Sequence, residues 1–210
     1  PRILSNWIFL IIRKIINRET VLWGHAWPRK GAFSKSDKLR NLMRLLASKI
    51  IVYTRQQQFE LKNKMPKKII LAAPNAVLSS FKMEFSTTNN KFNIIYVGRL
   101  TKLKKPFFLV ESFAKEIHRY PSKTKLIIIG EGEEKNKIKN YIVKNKLSQR
   151  IELLGHISNN EKLKDLYFTS FFSVSPGYVG LSIIQSFGFG VPMLVSRNEN
   201  HSPEIEEIGR

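Results

Sequence analysis

Cysteine is absent from the sequence, which excludes a disulfide framework and any thiolate metal site. The four histidines, His25, His118, His156 and His201, do not fall at metal-ligand spacing, so no metal is expected. Acidic residues are scarce: 16 Asp and Glu stand against 36 Lys and Arg, a formal charge of +20. An excess of that size favours anionic partners, whether nucleic acid, a membrane surface or phosphorylated ligands. It equally suits lysines that do no more than solvate helix faces. Long hydrophobic runs are missing as well. The opening ILSNWIFLII meets Arg13 and Lys14 well short of the roughly 20 apolar residues of a membrane span, and reads as a buried helix. Internal repeats and low-complexity tracts are also absent.

What is present is the pattern of a folded α/β protein, with 42% hydrophobic and 11% aromatic residues. From Phe92 onward, NIIYVG, KLIIIG, IELLG, FFSVS and PMLVS are short apolar runs bounded by Gly, Pro or Ser, the signature of buried parallel strands. Amphipathic helices separate them. Val110, Phe113, Ala114 and Ile117 make one stripe, Ile138, Tyr141 and Ile142 a second, and Leu163, Leu166 and Tyr167 a third. Strand-helix repetition of this kind predicts a doubly wound, Rossmann-like sheet whose ligand site lies at the carboxyl ends of the strands. Before it, VLWGH, IIVYT and KIILAA predict three further strands. A helix over 36–48 lies between the first two, with Leu39, Leu42, Met43 and Leu46 on its buried face and a capping box from Ser34 to Asp37. Residues 1–78 are thus the last part of a first Rossmann-like lobe, 79–91 a polar linker, and 92–210 a second lobe that stops early. The sequence opens on Pro1 and closes with EIEEIGR inside a helical pattern, so it reads as part of a longer protein.

Three glycine-bearing turns are candidates for chemistry. In SPGYVGLSIIQSFGFGVPMLVS a strand ends at Pro176 and a helix starts near Leu181, so backbone amides beside Gly180 are available to a phosphate. The aromatics of SFGFGV fall in a helical stretch and not along a strand, which argues against an RNA-binding sheet. GRLTKLKK follows NIIYV and puts Arg99 and Lys104 at the carboxyl end of a strand, within reach of a diphosphate. IIIGEGEEK lacks the third glycine of a dinucleotide fingerprint and carries Glu131, Glu133 and Glu134 where phosphates would sit, so it reads as a structural turn and no NAD site is expected. The lysines are scattered, with no basic stripe interleaved with stacking aromatics, and no nucleic-acid partner is expected.

The order YVGRLTKLKKPFFLVESF, LIIIGEGEEKNKI, IELLGHIS, PGYVGLSIIQSFGFGVPMLVS and PEIEEI resembles the family-four glycosyltransferases over about 120 residues. VLWGHAW and APNAV resemble that family's His-Gly loop and its exit to the linker. The resemblance implies a GT-B fold, with two Rossmann-like lobes of parallel sheet, the first incomplete and the second truncated. It implies a retaining transferase, independent of metal and of any cofactor, that moves sugar from a nucleoside diphosphate donor to a saccharide or lipid-linked acceptor. Arg99 and Lys104 would bind the diphosphate with Gly98, Gly180 and Leu181, and His156 would lie at the base pocket by its backbone. Gln185 would hold the ribose, Glu204 would lie near the donor sugar, and His25 would lie beside the transferred sugar, with Ala26 where a glycine is usual.

Two family glutamates are replaced by Gly177 and Gln185. This leaves open a nucleotide-sugar-binding protein without transfer activity, or an epimerase or hydrolase on the same fold. A cytoplasmic site is expected, with the basic helix over 36–48 and its flanks turned toward an anionic membrane surface.

Overall fold

A computed structural model describes residues 3–28, 34–77, 83, 85–86 and 90–209. Most of the sequence expected to link the lobes, SSFKMEFSTTNNK, lies outside the described residues. The chain divides into two compact units, Pro1–Asn75 with Glu206–Arg210, and Ala76–Ile205.

The second unit carries α4 (Pro106–Lys115), α5 (Lys135–Lys144), α6 (Asn160–Phe168) and α7 (Ser182–Gly188) around five strands. These are β4 (Asn93–Val97), β5 (Leu126–Ile129), β6 (Ile151–Gly155), β7 (Ser170–Ser175) and β8 (Met193–Val195). All pair in parallel in the order β6-β5-β4-β7-β8. Alternation along each strand sorts the core. Ile94, Tyr96, Leu126 and Ile128 face α4 and α5, whereas Ile95, Ile127 and Ile129 face α6 on the other side. Burial on both faces is why these strands read as continuous apolar runs. Local chemistry agrees with the boundaries: Pro106 opens α4, and the Asn159 side chain accepts from the amides of Glu161 and Lys162 at the start of α6.

In the first unit, β1 (Val21–Trp23), β2 (Lys49–Val52) and β3 (Ile69–Ala72) form a parallel sheet in that order. Helices α1 (Leu4–Ile15), α2 (Lys35–Leu46) and α3 (Arg55–Lys64) accompany it. Ile50, Val52, Leu61, Ile70 and Ala26 make its core. The Thr54 hydroxyl caps α3 by accepting from the Gln57 amide at 3.1 Å.

Four local expectations are corrected. The opening segment is helical but not buried: of its apolar residues only Leu10 is enclosed, while Leu4, Ile8, Phe9, Ile12 and Ile15 are exposed. Helix α2 packs against it. Helix α2 is rotated from its predicted face, so that Leu39 and Leu42 are exposed and Met43, Asp37 and Arg44 are buried. Charge pairing sets that rotation: Asp37 bridges Arg44 at 3.0 Å and Lys64 at 2.6 Å, and Arg44 also donates to the Ala26 carbonyl. The capping box is consequently not formed, because the Asp37 carboxylate points inward and the Ser34 hydroxyl pairs with that of Ser36. Finally, PEIEEI is a 3-10 turn over Pro203–Gly209, not an α-helix.

Candidate functional site

The strands β4 and β7 are hydrogen-bonded neighbours that are not consecutive in the chain, and the connections leave them in opposite directions. That is the switch point of a doubly wound sheet, where a crevice opens at the carboxyl edge. The two loops singled out by sequence, Gly98–Lys105 after β4 and Pro176–Leu181 after β7, both emerge there.

The β4 loop is built on close backbone contacts. A Cβ at Gly130 would fall 1.9 Å from the Gly98 carbonyl oxygen, and one at Gly132 would fall 2.4 Å from that of Leu100. Both glycines have positive φ, +147° and +156°. The GEG turn after β5 therefore supports the β4 loop from below, with the Leu100 amide donating to the Glu131 carbonyl and the Glu134 amide to that of Leu100. From inside, the buried Tyr96 hydroxyl donates to the Arg99 carbonyl at 3.0 Å. Burial, with the Glu134 charge second, pushes that phenol far above its ordinary range, so it stays protonated and remains a donor.

The two loops then lock together. A Cβ on Gly177 would meet the Leu103 carbonyl oxygen at 2.4 Å and the Lys104 carbonyl carbon at 2.7 Å, and the Tyr178 amide donates to Leu103 at 3.0 Å. Lys104 is thereby buried, with 9% of its surface exposed. Its Nζ lies 5.3 Å from the centroid of the Tyr178 ring and 3.8 Å from where a Cβ of Gly180 would stand. Among the described residues no carboxylate pairs with it. Burial, then the neighbouring Arg99 charge, lowers the Lys104 pKa. Arg99 itself is exposed.

The outer wall was not legible in the sequence. His201 accepts from the Val179 amide through Nδ1 at 3.1 Å, while its Nε2 lies 2.6 Å from the Ser196 carbonyl. An acceptor at Nδ1 fixes the proton on Nε2, so this neutral imidazole ties two backbone segments together. The Ser202 amide donates to Val179 at 3.0 Å beside it, and Lys105 pairs with Glu199. A lone histidine in a polar loop has no periodicity to reveal such a role.

Of the other expected residues, Gly180 and Leu181 stand at the mouth of α7, and Gln185 is half-buried one turn along. Glu204 is buried two residues beyond Ser202. Exposed His156 follows β6, after Gly155 at φ +71°. His25 belongs to the first unit, exposed and edge-on to Tyr53 with ring centroids 4.7 Å apart. Next to it the Ala26 methyl sits in the core, which gives a reason for alanine where glycine is usual. The Ala26 amide donates to Gln57 at 3.2 Å.

Comparison with known proteins gives the same architecture. An uncharacterized glycosyltransferase of Methanocaldococcus jannaschii is 32% identical over 92% of this chain and 51% of its own length. An alpha-monoglucosyldiacylglycerol synthase of Acholeplasma laidlawii is 25% identical over 62% of this chain and 33% of its own. The chain thus spans about half the length of the archaeal relative. Anabaena HepE, solved with UDP and glucose, superposes with a TM-score of 0.63 at 17% identity, over 93% of this chain and 57% of that one. The pneumococcal O-GlcNAc transferase GtfA, solved with UDP and GlcNAc, gives 0.66 at 18% identity, over 91% and 40%. The fold is that of GT-B glycosyltransferases. Residues 80–208, which carry the locked loops, the GEG support and the His201 segment, match the glycosyl transferases group 1 family, and the chain belongs to it.

Proposed function

We propose that this chain serves a glycosyltransferase that moves a sugar from a nucleoside diphosphate sugar to a saccharide or lipid-linked acceptor, in glycan or cell-envelope polysaccharide synthesis. One observation carries the reading: at the switch point between β4 and β7, a buried ammonium with no carboxylate partner among the described residues lies beside the backbone of Gly180. In the transfer, the bond from sugar C1 to the diphosphate oxygen breaks, the acceptor hydroxyl oxygen bonds to C1, and the diphosphate leaves with the electron pair and takes up the proton that the hydroxyl gives up. Negative charge grows on that leaving group, and Lys104, Arg99 and the amides of Gly180 and Leu181 would meet it. No metal is invoked, since these groups already supply the compensating charge. His156 would border the base, Gln185 the ribose, Glu204 the donor sugar and His25 the transferred group, with retention of configuration.

The related folds favour a uridine donor and a saccharide acceptor, since HepE was solved with UDP and glucose, and TarM of S. aureus with UDP, fondaparinux and an alpha-GlcNAc-glycerol. A thermal-shift panel of nucleoside diphosphates and their sugars tests this. A ligand that binds only the native state, at about a hundredfold above its Kd, adds about 2.7 kcal/mol of stability. UDP and a UDP-sugar are expected to raise Tm and uridine is not; equal shifts for all nucleosides and diphosphates would refute a diphosphate site.

A second reading, donor binding without transfer, is favoured by Gly177. Its backbone lies against Leu103 and Lys104, so no glutamate fits there. Tight UDP-sugar binding with no product released, with or without saccharide acceptors, would select it.

A further inference from the structure

Lys104 is enclosed by the fold, yet among the described residues no carboxylate pairs with it. What its ammonium does meet is an aromatic face, with Nζ over the Tyr178 ring at 5.3 Å from the centroid. Lys64, Lys123 and Lys137 also stand over rings, those of Trp27, Phe92 and Phe107, but these lysines are exposed and water competes for their ammonium groups. A cation gains most from a ring where it is desolvated, which is the situation of Lys104.

The backbones of both loops set this contact. Lys104 ends a 3-10 turn over Lys102–Lys104, and Lys105 after it takes φ +53° to lead the chain into α4. Gly177 lies against the Leu103 and Lys104 carbonyl groups, and the next residue, Tyr178, donates its amide to Leu103. Two fixed backbones thus bring ring and ammonium together. Both border Gly180, since a Cβ there would stand 3.7 Å from Tyr178 Cε1 and 3.8 Å from Lys104 Nζ. An aromatic face suits the place better than a carboxylate would. Its quadrupole attracts the ammonium, but it bears no formal charge to repel a diphosphate. It also leaves the lysine N–H donors to phosphate oxygens.

We propose that Tyr178 is a positioning residue of this site, whose ring seats the Lys104 ammonium to meet a diphosphate oxygen. The seat belongs to the unliganded fold, whereas its use rests on the glycosyltransferase reading.

The seat is read first without ligand, by NMR of the free protein. Ring current is expected to hold the Lys104 Hε protons upfield of their position in Tyr178→Leu, and to do so equally in Tyr178→Phe, which keeps the ring. Calorimetry with UDP then reads the use of the seat. Tyr178→Leu should weaken UDP binding about fivefold, as loss of a cation–π contact does, with uridine little changed, and Tyr178→Phe should bind UDP as the parent does. In a Lys104→Ala background the further change Tyr178→Leu should cost nothing, because the ring then has no ammonium to seat. A ring that only packed the loop would add its loss to that of the lysine. Additive losses, or a Tyr178→Phe as weak as Tyr178→Leu, would overturn the proposal. So would Lys104 Hε protons at the random-coil position in the parent, a result that decides the matter even if Tyr178→Leu fails to fold. Absence of UDP binding by the parent would refute the donor reading, and the seat would still stand or fall by the lysine shift.

Discussion

At the scale of single residues, Lys104 and Arg99 differ more than their shared charge suggests. Lys104 is buried beside Gly180, where a charge-assisted bond to phosphate is little screened, whereas Arg99 is exposed and its attraction is damped by water. Lys104→Ala is therefore expected to cost about 1.5–3 kcal/mol of UDP affinity, and Arg99→Ala less than about 1 kcal/mol, by calorimetry, with uridine binding little changed. Equal loss for UDP and uridine would point to a damaged fold instead. The depressed Lys104 pKa adds a signature in pH. The unliganded fold disfavours the charged amine, so at neutral pH it carries a cost that is relieved as pH rises through the lowered folded value toward the ordinary lysine value of 10.5. A diphosphate needs the charged form. UDP affinity should accordingly fall through that alkaline window while the free protein gains stability from this site. Lys104→Arg, which stays protonated, should flatten the decline in affinity.

At the scale of elements, the β4 and β7 loops owe their positions to backbone contacts that no side chain could replace. Gly130, Gly132 and Gly177 each lie against a carbonyl oxygen, and the last faces the other loop directly. The His201 segment closes the assembly from outside. His201→Ala removes the acceptor of the Val179 amide and the link to Ser196, so it is expected to lower UDP affinity several-fold. His201→Gln offers one acceptor and one donor in similar places and should restore most of the loss. Calorimetry of the two variants decides the matter, and equal affinities for Ala and Gln would deny His201 any positioning role. The strands were legible in sequence because burial on both faces leaves runs such as LIII with no polar residue. The two loops at the carboxyl edge were legible because glycine or proline marks where β4 and β7 end. What escaped was anything decided by charge pairing across elements: Asp37 looked like half of a capping box, yet Arg44 and Lys64 draw it inward and turn Leu39 and Leu42 out. Periodicity counts apolar residues and does not register that an ion pair outweighs two leucines.

At the scale of the whole molecule, the charge of +20 and the uncovered helix α1 ask for one explanation. Leu4, Ile8, Phe9, Ile12 and Ile15 expose apolar surface along α1, and Lys14 and Arg18 stand exposed at its end. A helix of 12 residues is about 18 Å long, too short to cross a hydrocarbon core of about 30 Å. Among the described residues no helix is long and apolar enough to span a membrane. An apolar face with cations at its rim suits a helix that lies in the headgroup layer, and each nearby lysine or arginine adds about 1 kcal/mol on an anionic leaflet. That placement would bring a lipid-linked acceptor to the protein. It predicts co-sedimentation with vesicles rich in anionic lipid and weaker binding to neutral ones. It also predicts a steep loss as salt shortens the Debye length, since the attraction acts between solvent-exposed charges. Ile8→Glu with Ile12→Glu should abolish the vesicle binding and leave UDP affinity unchanged, because both positions lie in the unit that does not carry the β4 and β7 loops. Equal binding to neutral and anionic vesicles, or binding that survives the double substitution, would mean that α1 meets something other than lipid and that the charge serves the donor and the acceptor alone.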